Sequence, residues 1–362
     1  MKPSVAIGKM AKNEAFLPGG LRRMARDPNT LHVSLVVVPE VDGSALLGLH
    51  GALQLLDTLA DCPVRFHVEA VLPDSIENQR LHGGVIIQNV LGIPIPVHRL
   101  MSQVEASDIV IIPSLFVPEP SAWPHDPYPD LTHWLLTLHA KGARLCSACT
   151  GALLLAETRL LDGYAATQHW AFRQLFQQRF PKVDLQLEKV LLVTGEGSRI
   201  LMTGASAAWH DLALHLIARY AGPVHAQIMA KFFLLSRHCE GQSPYIIFQE
   251  DIDHGDRLIA SAQDWLKENS HESDAIEKAA TLSGLAARTF HRRFSHATGY
   301  SPIHYVQHLR VEKAKQALEL GAAPVEEISW QVGYEDPASF RRLFKRLTGM
   351  TPSAYRRKFK IS

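Results

Sequence analysis

Phe290–Tyr305 reads FHRRFSHATGYSPIHY, and fifty positions later Phe340–Tyr355 reads FRRLFKRLTGMTPSAY. Phe290, Phe294, Thr298, Gly299, Pro302 and Tyr305 return as Phe340, Phe344, Thr348, Gly349, Pro352 and Tyr355. In each copy two aromatics at i, i+4 give a helix one apolar stripe. The Thr-Gly supplies its C-terminal stop, and Ser/Thr-Pro opens the next helix with proline in the first turn. A short helix and a glycine turn precede each copy: Ala275–Ser283 before Gly284, and Val325–Gln331 before Gly333. The pattern is helix, turn, helix, twice over, with the second turn one residue longer. Between the units Pro302–Leu320 reads as one long helix, a strut, with Val306, Leu309, Ala314, Ala317 and Leu318 on one face.

The charge distribution says what such a repeat meets. The chain of 362 residues carries +1 overall, but residues 270–362 hold 15 lysines and arginines against 9 carboxylates, while the remainder holds 22 against 27. A basic third on an acidic body expects a polyanion partner. With Phe290 and Phe294 inward, Arg288, His291 and Arg292 point outward; in the second copy Ser339, Arg341 and Arg342 do so. Arginine pairs bidentately with guanine, worth ~1–3 kcal/mol of discrimination per contact. Remaining basic positions and helix N-termini suit phosphates. Two such helices on one rigid module can enter successive major-groove segments ~34 Å apart. A solvated arginine face on a helical bundle is the bland alternative, and duplication in both copies weighs against it.

On these residues, 256–362 resembles the DNA-binding domain of AraC/XylS-type transcription regulators, most specifically in AAPVEEISWQVGYEDPASFRRLFKRLTGMTPSAYRR. The resemblance implies base contacts from Arg288, His291 and Arg292 in the first unit, and from Pro337, Ala338, Ser339 and Arg342 in the second. Pro337 and Ala338 have little hydrogen-bonding capacity, so the second unit should specify weakly or through thymine methyls. Double-stranded promoter DNA is then the expected partner, with RNA polymerase beside it, as for an activator.

The larger part of the chain has another rhythm. HVSLVVVP (His32–Pro39) and DIVIIP (Asp108–Pro113) are continuous apolar runs of the kind buried in a parallel sheet. Helix-like Ala45–Leu59 and Leu131–Ala140, alternating Arg65–Val71, a hairpin over Val85–Val97 and a strand at Ala143–Cys146 complete the pattern. The expected fold is an α/β doubly wound, flavodoxin-like domain over 31–238, then a linker over 239–255, then an all-α domain over 256–362 with two helix-turn-helix units. Pro223–Ser236 should close the first domain, and residues 1–30 read as a flexible arm.

LCSACTG (Leu145–Gly151) puts Cys149 at a sharp strand-to-helix turn, a place where α/β enzymes keep a nucleophile. CTGALLLAETRLLDGYAATQHW (Cys149–Trp170) resembles the PfpI/class I glutamine amidotransferase-like superfamily. Within it, the match is to GlxA-like regulators, which place this domain before an AraC-type module. GASAAWHDLALHLIARYAG (Gly204–Gly222) fits that group, and RHCEGQSPYIIF (Arg237–Phe248) fits it more loosely. The resemblance implies that His169 lies near the cysteine and that the domain senses a small metabolite and dimerises. It points to amino-acid derivatives or quaternary amines as effectors, with Trp170 or Trp209 offering a cation–π face.

Catalysis would need more than Cys149: a base or cation to form thiolate, backbone donors for an oxyanion, and an orienting group. The acid that catalytic relatives hold over the cysteine aligns near Gly48, PSLF stands where they have Gly-Gly, and Glu40 is the one carboxylate that would substitute. The late H-x-E of the amidotransferase triad is missing. Three roles for Cys149 stay open, and these gaps favour the first: pocket lining beside Ser114, Thr150, His169 and Trp170; a redox or covalent sensor; a hydrolase nucleophile. His169 and Trp170 read as packing residues about as well as ligand contacts.

Four cysteines, Cys62, Cys146, Cys149 and Cys239, are too few for a disulfide framework, and Cys146-x-x-Cys149 finds no second pair of ligands for zinc. No metal or cofactor is therefore expected. His210 and His215, among 19 histidines, read as structural. No apolar run reaches the ~18 residues of a membrane span and no secretory signal stands at the N-terminus, so a cytoplasmic location is expected.

Overall fold

HVSLVVVP becomes β1 (Thr30–Val36), the centre of the larger sheet in a computed structural model that describes residues 27, 29–77, 79–81, 84–118, 123–250 and 254–360. The arm expected over 1–30 lies almost wholly outside the described residues. From β1 the chain runs through α1 (Gly43–Gln54), α2 (Leu56–Leu59), β2 (Arg65–Leu72), β3 (Gln79–Leu81), β4 (Gly84–Gln88), β5 (Pro94–Val97), β6 (Arg99–Leu100) and β7 (Ile109–Ile112). It continues with α3 (Pro129–Ala140), β8 (Arg144–Ala148), α4 (Ala152–Glu157), β9 (Ala165–Ala166), α5 (Arg173–Arg179) and β10 (Asp184–Leu185). β11 (Leu191–Thr194), β12 (Ile200–Thr203), α6 (Trp209–Tyr220) and α7 (Pro223–Phe232) complete this part.

Seven strands order as β11-β12-β8-β7-β1-β2-β6, parallel except for antiparallel β11. Successive residues of one strand serve opposite faces. Leu35, Val37, Ile111 and Cys146 belong to the core shared with α1, α6 and α7; Val36, Val110, Ile112 and Leu145 belong to the core shared with α3, α4 and α5. With helices covering both faces, each strand must be apolar throughout, which is why these runs show no alternation. Strand order reverses between β1 and β7, so the crevice at their carboxyl ends is the topological switch point. The doubly wound architecture matches the expectation. The helix expected over Ala45–Leu59 is broken at Leu55 into α1 and α2, and β4 with β5 forms the expected hairpin, extended by β3.

The remaining helices are α8 (Arg257–Asn269), α9 (Ala275–Leu282), α10 (Ala287–Thr298), α11 (Pro302–Leu320), α12 (Val325–Gln331), α13 (Pro337–Thr348) and α14 (Pro352–Phe359). The repeat is structural as well as sequential. Phe290, Phe294, Phe340 and Phe344 are all fully buried. Thr298 and Thr348 each donate a 2.8 Å hydrogen bond to the carbonyl of the phenylalanine one turn earlier. Gly299 and Gly349 end their helices at φ 73° and 74°, a left-handed geometry that glycine adopts without strain. Ser301 and Thr351 then cap the helices opened by the prolines. The strut α11, about 28 Å long at 1.5 Å per residue, gives Tyr305, Val306 and Leu309 to the first core and Val311, Ala314 and Leu318 to the second.

The described residues 237–246, between α7 and α8, form a packed strap. Gln242 has no exposed surface, and its Nε2 donates to Thr167 Oγ1 at 3.1 Å, Gln168 O at 3.0 Å and Lys189 O at 3.2 Å. On the strap's other side Tyr245 meets Phe359 edge to face at 5.1 Å, Glu240 pairs with Lys358 at 3.2 Å, and Ile246 O accepts from Lys315 at 2.6 Å. Arg173 also donates directly to the Tyr300 hydroxyl at 2.8 Å.

Candidate functional sites: the cysteine elbow and the arginine helices

β8 ends at Ala148, and Cys149 takes φ +53°, a left-handed backbone that costs a non-glycine residue on the order of 1–3 kcal/mol. Its surroundings hold it there. A Cβ on Gly151 would lie 2.5 Å from the carbonyl oxygens of both Ile112 and Pro113, so only glycine lets the turn approach the end of β7. Thr150 Oγ1 donates to Leu115 O and accepts from Leu115 N, both at 2.7 Å, which fastens the elbow to the PSLF loop.

These bonds decide what the loop can offer. The Leu115 amide is committed to Thr150, and the Phe116 amide to Glu40 O at 2.6 Å. Two of the loop's backbone donors are already used. The cysteine is equally closed: Ser114, Cys149 and Thr150 retain 0, 1 and 3% of their surface. Cys149 Sγ lies 3.4 Å from Ser206 Oγ. Burial pushes its thiol above the ordinary cysteine range, against the opposing pull of the Ser206 hydroxyl and the neighbouring Thr150 and Ser114 groups.

Among the described residues no base is bonded to the thiol. His169 caps the turn at Trp170–Phe172, its Nδ1 accepting from Ala171 N at 3.2 Å, and its ring stacks on Trp170 at 5.1 Å. Burial lowers its pKa, and among the described residues no hydrogen bond joins it to Cys149. The structure thus groups Ser114, Cys149 and Thr150 at the carboxyl ends of β7 and β8 and pairs His169 with Trp170 on a separate turn. Glu40 accepts from the Tyr128 hydroxyl at 2.7 Å. Where an acid was expected to be missing, at Gly48, a Cβ would lie 2.5 Å from the Trp209 indole. Cys146 faces the sheet core, and burial pushes its thiol up to about 12.

Ser147 Oγ and Thr203 Oγ1, near the carboxyl ends of β8 and β12, are buried without a hydrogen-bond partner among the described residues, and they face opposite sides of the sheet, Ser147 with Met202 and Thr203 with Ala148. Two surface concavities lie elsewhere. One of 410 Å³, lined by Arg159, Asp162, Arg179, Pro181 and Lys182, sits beyond the far end of α4; another of 300 Å³, among Asp27, Asp57 and Arg65, sits at the amino ends of β1 and β2. Both are surface grooves away from the carboxyl-end crevice where doubly wound sheets bind ligands.

On the helical side, Arg288, His291 and Arg292 are exposed on α10, and among the described residues no hydrogen bond or ion pair restrains them. Arg293, by contrast, turns inward to grip Asp256 with two bonds of 2.9 and 2.7 Å. In the second unit Pro337 and Ser339 are half-buried at the start of α13, and Ala338, Arg341 and Arg342 are exposed. Here the side chains are tied locally. Asp336 caps α13 through the amides of Ala338 and Ser339, Ser339 Oγ donates to Asp336 at 2.6 Å, Arg342 donates to Ser339 at 2.7 Å, and Arg341 pairs with Glu326. The exposed face of α13 is therefore self-bonded and flanked by carboxylates, unlike that of α10.

Sequence patterns did not reveal Ser206, Gln242 or Arg310. Arg310 donates to Ser270 O, Gly333 O and Glu272 O at 2.6 to 2.9 Å and covers the Tyr334 ring at 5.1 Å, stapling the two helical units together. Nothing local distinguishes it from a surface arginine, because its partners are backbone carbonyls from distant turns.

A helix-turn-helix domain profile matches residues 279–358. The HTH-type transcriptional regulator CdhR of Pseudomonas aeruginosa is 28% identical over 62% of this chain and 66% of its own length. The HTH-type transcriptional regulator GlxA of Rhizobium meliloti is 25% identical over 66% of this chain and 72% of its own. The matches to the first-mentioned relative and to GbdR of P. aeruginosa span 66% and 57% of those proteins, less than two thirds in each case. Among solved structures, a putative transcriptional regulator from Vibrio parahaemolyticus aligns with 20% identity and TM-score 0.48 over 56% of this chain and 98% of that one.

Proposed function

We propose that the chain is a GlxA-like regulator of the AraC type, a PfpI-like domain followed by a helix-turn-helix domain, which binds promoter DNA sequence-specifically and controls transcription in response to a small molecule. The observation that carries this is the pair of recognition-type helices on one strut, each with two buried phenylalanines behind an exposed arginine face. Arg288, His291 and Arg292 supply the main base contacts; Pro337, Ala338, Ser339, Arg341 and Arg342 supply the secondary ones. The PfpI-like domain acts as a non-catalytic sensor and homodimerisation domain in the cytoplasm. Its closed thiol and the committed Leu115 and Phe116 amides support a binding role over turnover. Amino-acid derivatives and quaternary amines are the effector classes to screen first.

Binding of an operator selected from random duplexes tests the reading at fixed salt. Arg292→Ala should weaken specific binding by ~1–3 kcal/mol, roughly 5- to 150-fold, with Arg342→Ala toward the lower end. Unchanged specific affinity in both variants would refute sequence reading by these helices.

A further inference from the structure

His210, Asp211 and His238 come together where α6 begins and the strap starts, and we propose that they form a binding site for a divalent transition cation of the zinc class, one that clamps the strap to the α/β domain. Their donor atoms, one from each residue, all lie within 4.8 Å of one another. Asp211 Oδ2 is 2.7 Å from His238 Nδ1 and 3.5 Å from His210 Nε2. A tetrahedral zinc with bonds of about 2.0–2.1 Å sets its donors roughly 3.3 Å apart, so modest rotations of the two rings suffice. Two imidazoles and a carboxylate are the donor set of a zinc site with an open position. The Ser236 carbonyl, 3.0 Å from His210 Nε2, is a further oxygen beside it.

The surroundings favour an ion over a loose surface contact. The three side chains keep only 12, 6 and 22% of their exposure, and Asp211 is further fixed by accepting the His238 amide at 3.1 Å through Oδ1. Trp209 and Tyr245 set their rings edge to face against His210 and His238, which limits how far the imidazoles swing. In the metal-free state both donor nitrogens carry protons that face acceptors: His238 toward Asp211, His210 toward Ser236. Binding moves each ring's proton to its far nitrogen, so neutral imidazoles coordinate with no proton lost, and a protonated one would release its extra proton to water. The ligands come from two segments 27 residues apart, and the strap that supplies His238 goes on to contact Phe359 and Lys358 of the helical module. An ion here would therefore tether the path between the two domains. The inference rests on this geometry and does not depend on the promoter-binding reading.

Equilibrium dialysis of the chelator-stripped full chain against Zn²⁺, with the metal counted by mass spectrometry, should give one ion per chain. The dissociation constant should rise at least tenfold in His210→Ala and in His238→Ala, and stay unchanged in His215→Ala, a histidine of the same helix outside the cluster. Circular dichroism keeps the result readable if a variant loses its fold. Wild-type protein supplies a second measurement: Zn²⁺ should slow tryptic cleavage after exposed Arg237 several-fold. Absence of stoichiometric zinc, equal affinity in all three variants, or cleavage indifferent to zinc would overturn the proposal.

Discussion

At the scale of single residues, two glycines decide what the elbow can be. Gly151 stands against backbone carbonyls that have no freedom to retreat, so Gly151→Ala should cost about 2–4 kcal/mol in urea unfolding and leave a less soluble protein. Gly48 faces the Trp209 indole, which occupies the space an acid on α1 would need. Gly48→Glu should therefore destabilise by a comparable amount and confer no esterase or amidase turnover, since the thiol remains buried and its loop amides remain bonded. Measurable turnover in that variant would show that one carboxylate was all that separated this elbow from a catalyst. Cys149 keeps a nucleophile's backbone without a nucleophile's surroundings.

At the scale of elements, the edge of the sheet is held by charge where strand length is insufficient. β6 is two residues long and pairs with β2 through Val71 and Leu72. Glu69 of β2 accepts from Arg99 of β6 at 2.8 Å and lies 3.4 Å from His67. Burial alone would raise the Glu69 pKa, but hydrogen bonds and charges from His67 and Arg99 outweigh it and hold the group at about 2. A carboxylate whose folded pKa is depressed stabilises fully above its unfolded pKa of 4.5, and that contribution is lost as pH falls from there through about 2. Melting curves between pH 5 and about 2 should show Glu69→Gln flattening a loss on the order of 2–3 kcal/mol. His67 moves the opposite way, its pKa raised by the hydrogen bond to Glu69, so its share is present at low pH and fades as pH rises past that value.

For the whole molecule, the relation between units rests on a few long-range polar staples. Arg310 ties α11 to the turns around Ser270, Glu272 and Gly333. Arg310→Ala should lose about 2–3 kcal/mol and let the two recognition helices move independently. Arg310→Lys should restore little, because one ammonium cannot reproduce a planar fork spread over three carbonyls. A lysine variant with wild-type stability and operator affinity would show that the fork geometry is dispensable. Gln242 does the corresponding work for the strap, its amide filling the gap above Gly204 and bonding to residues of the α/β domain.

Both architectures were legible in the chain because they are written in local periodicity. The paired phenylalanines, the Thr-Gly stops and the prolines at helix starts recur at fixed spacing, and helices need only their own stripe buried. HVSLVVVP and DIVIIP show no alternation because both sheet faces are covered. The exposed positions of Arg288, His291 and Arg292 followed from the same phase. Tertiary structure alone decided the rest, since it depends on residues that meet from distant turns. Arg293 and Arg292 are neighbours of one type, yet Asp256 takes the first and leaves the second exposed. LCSACTG specifies an elbow, but whether its cysteine is reactive turned on Ser206, on the amides of Leu115 and Phe116, and on an indole from α6. His210, Asp211 and His238 carry no metal-site spacing, and only the return of the strap past α6 brings their donor atoms to one point. Sequence encodes what each segment buries, and the folded chain decides which polar groups are left to act.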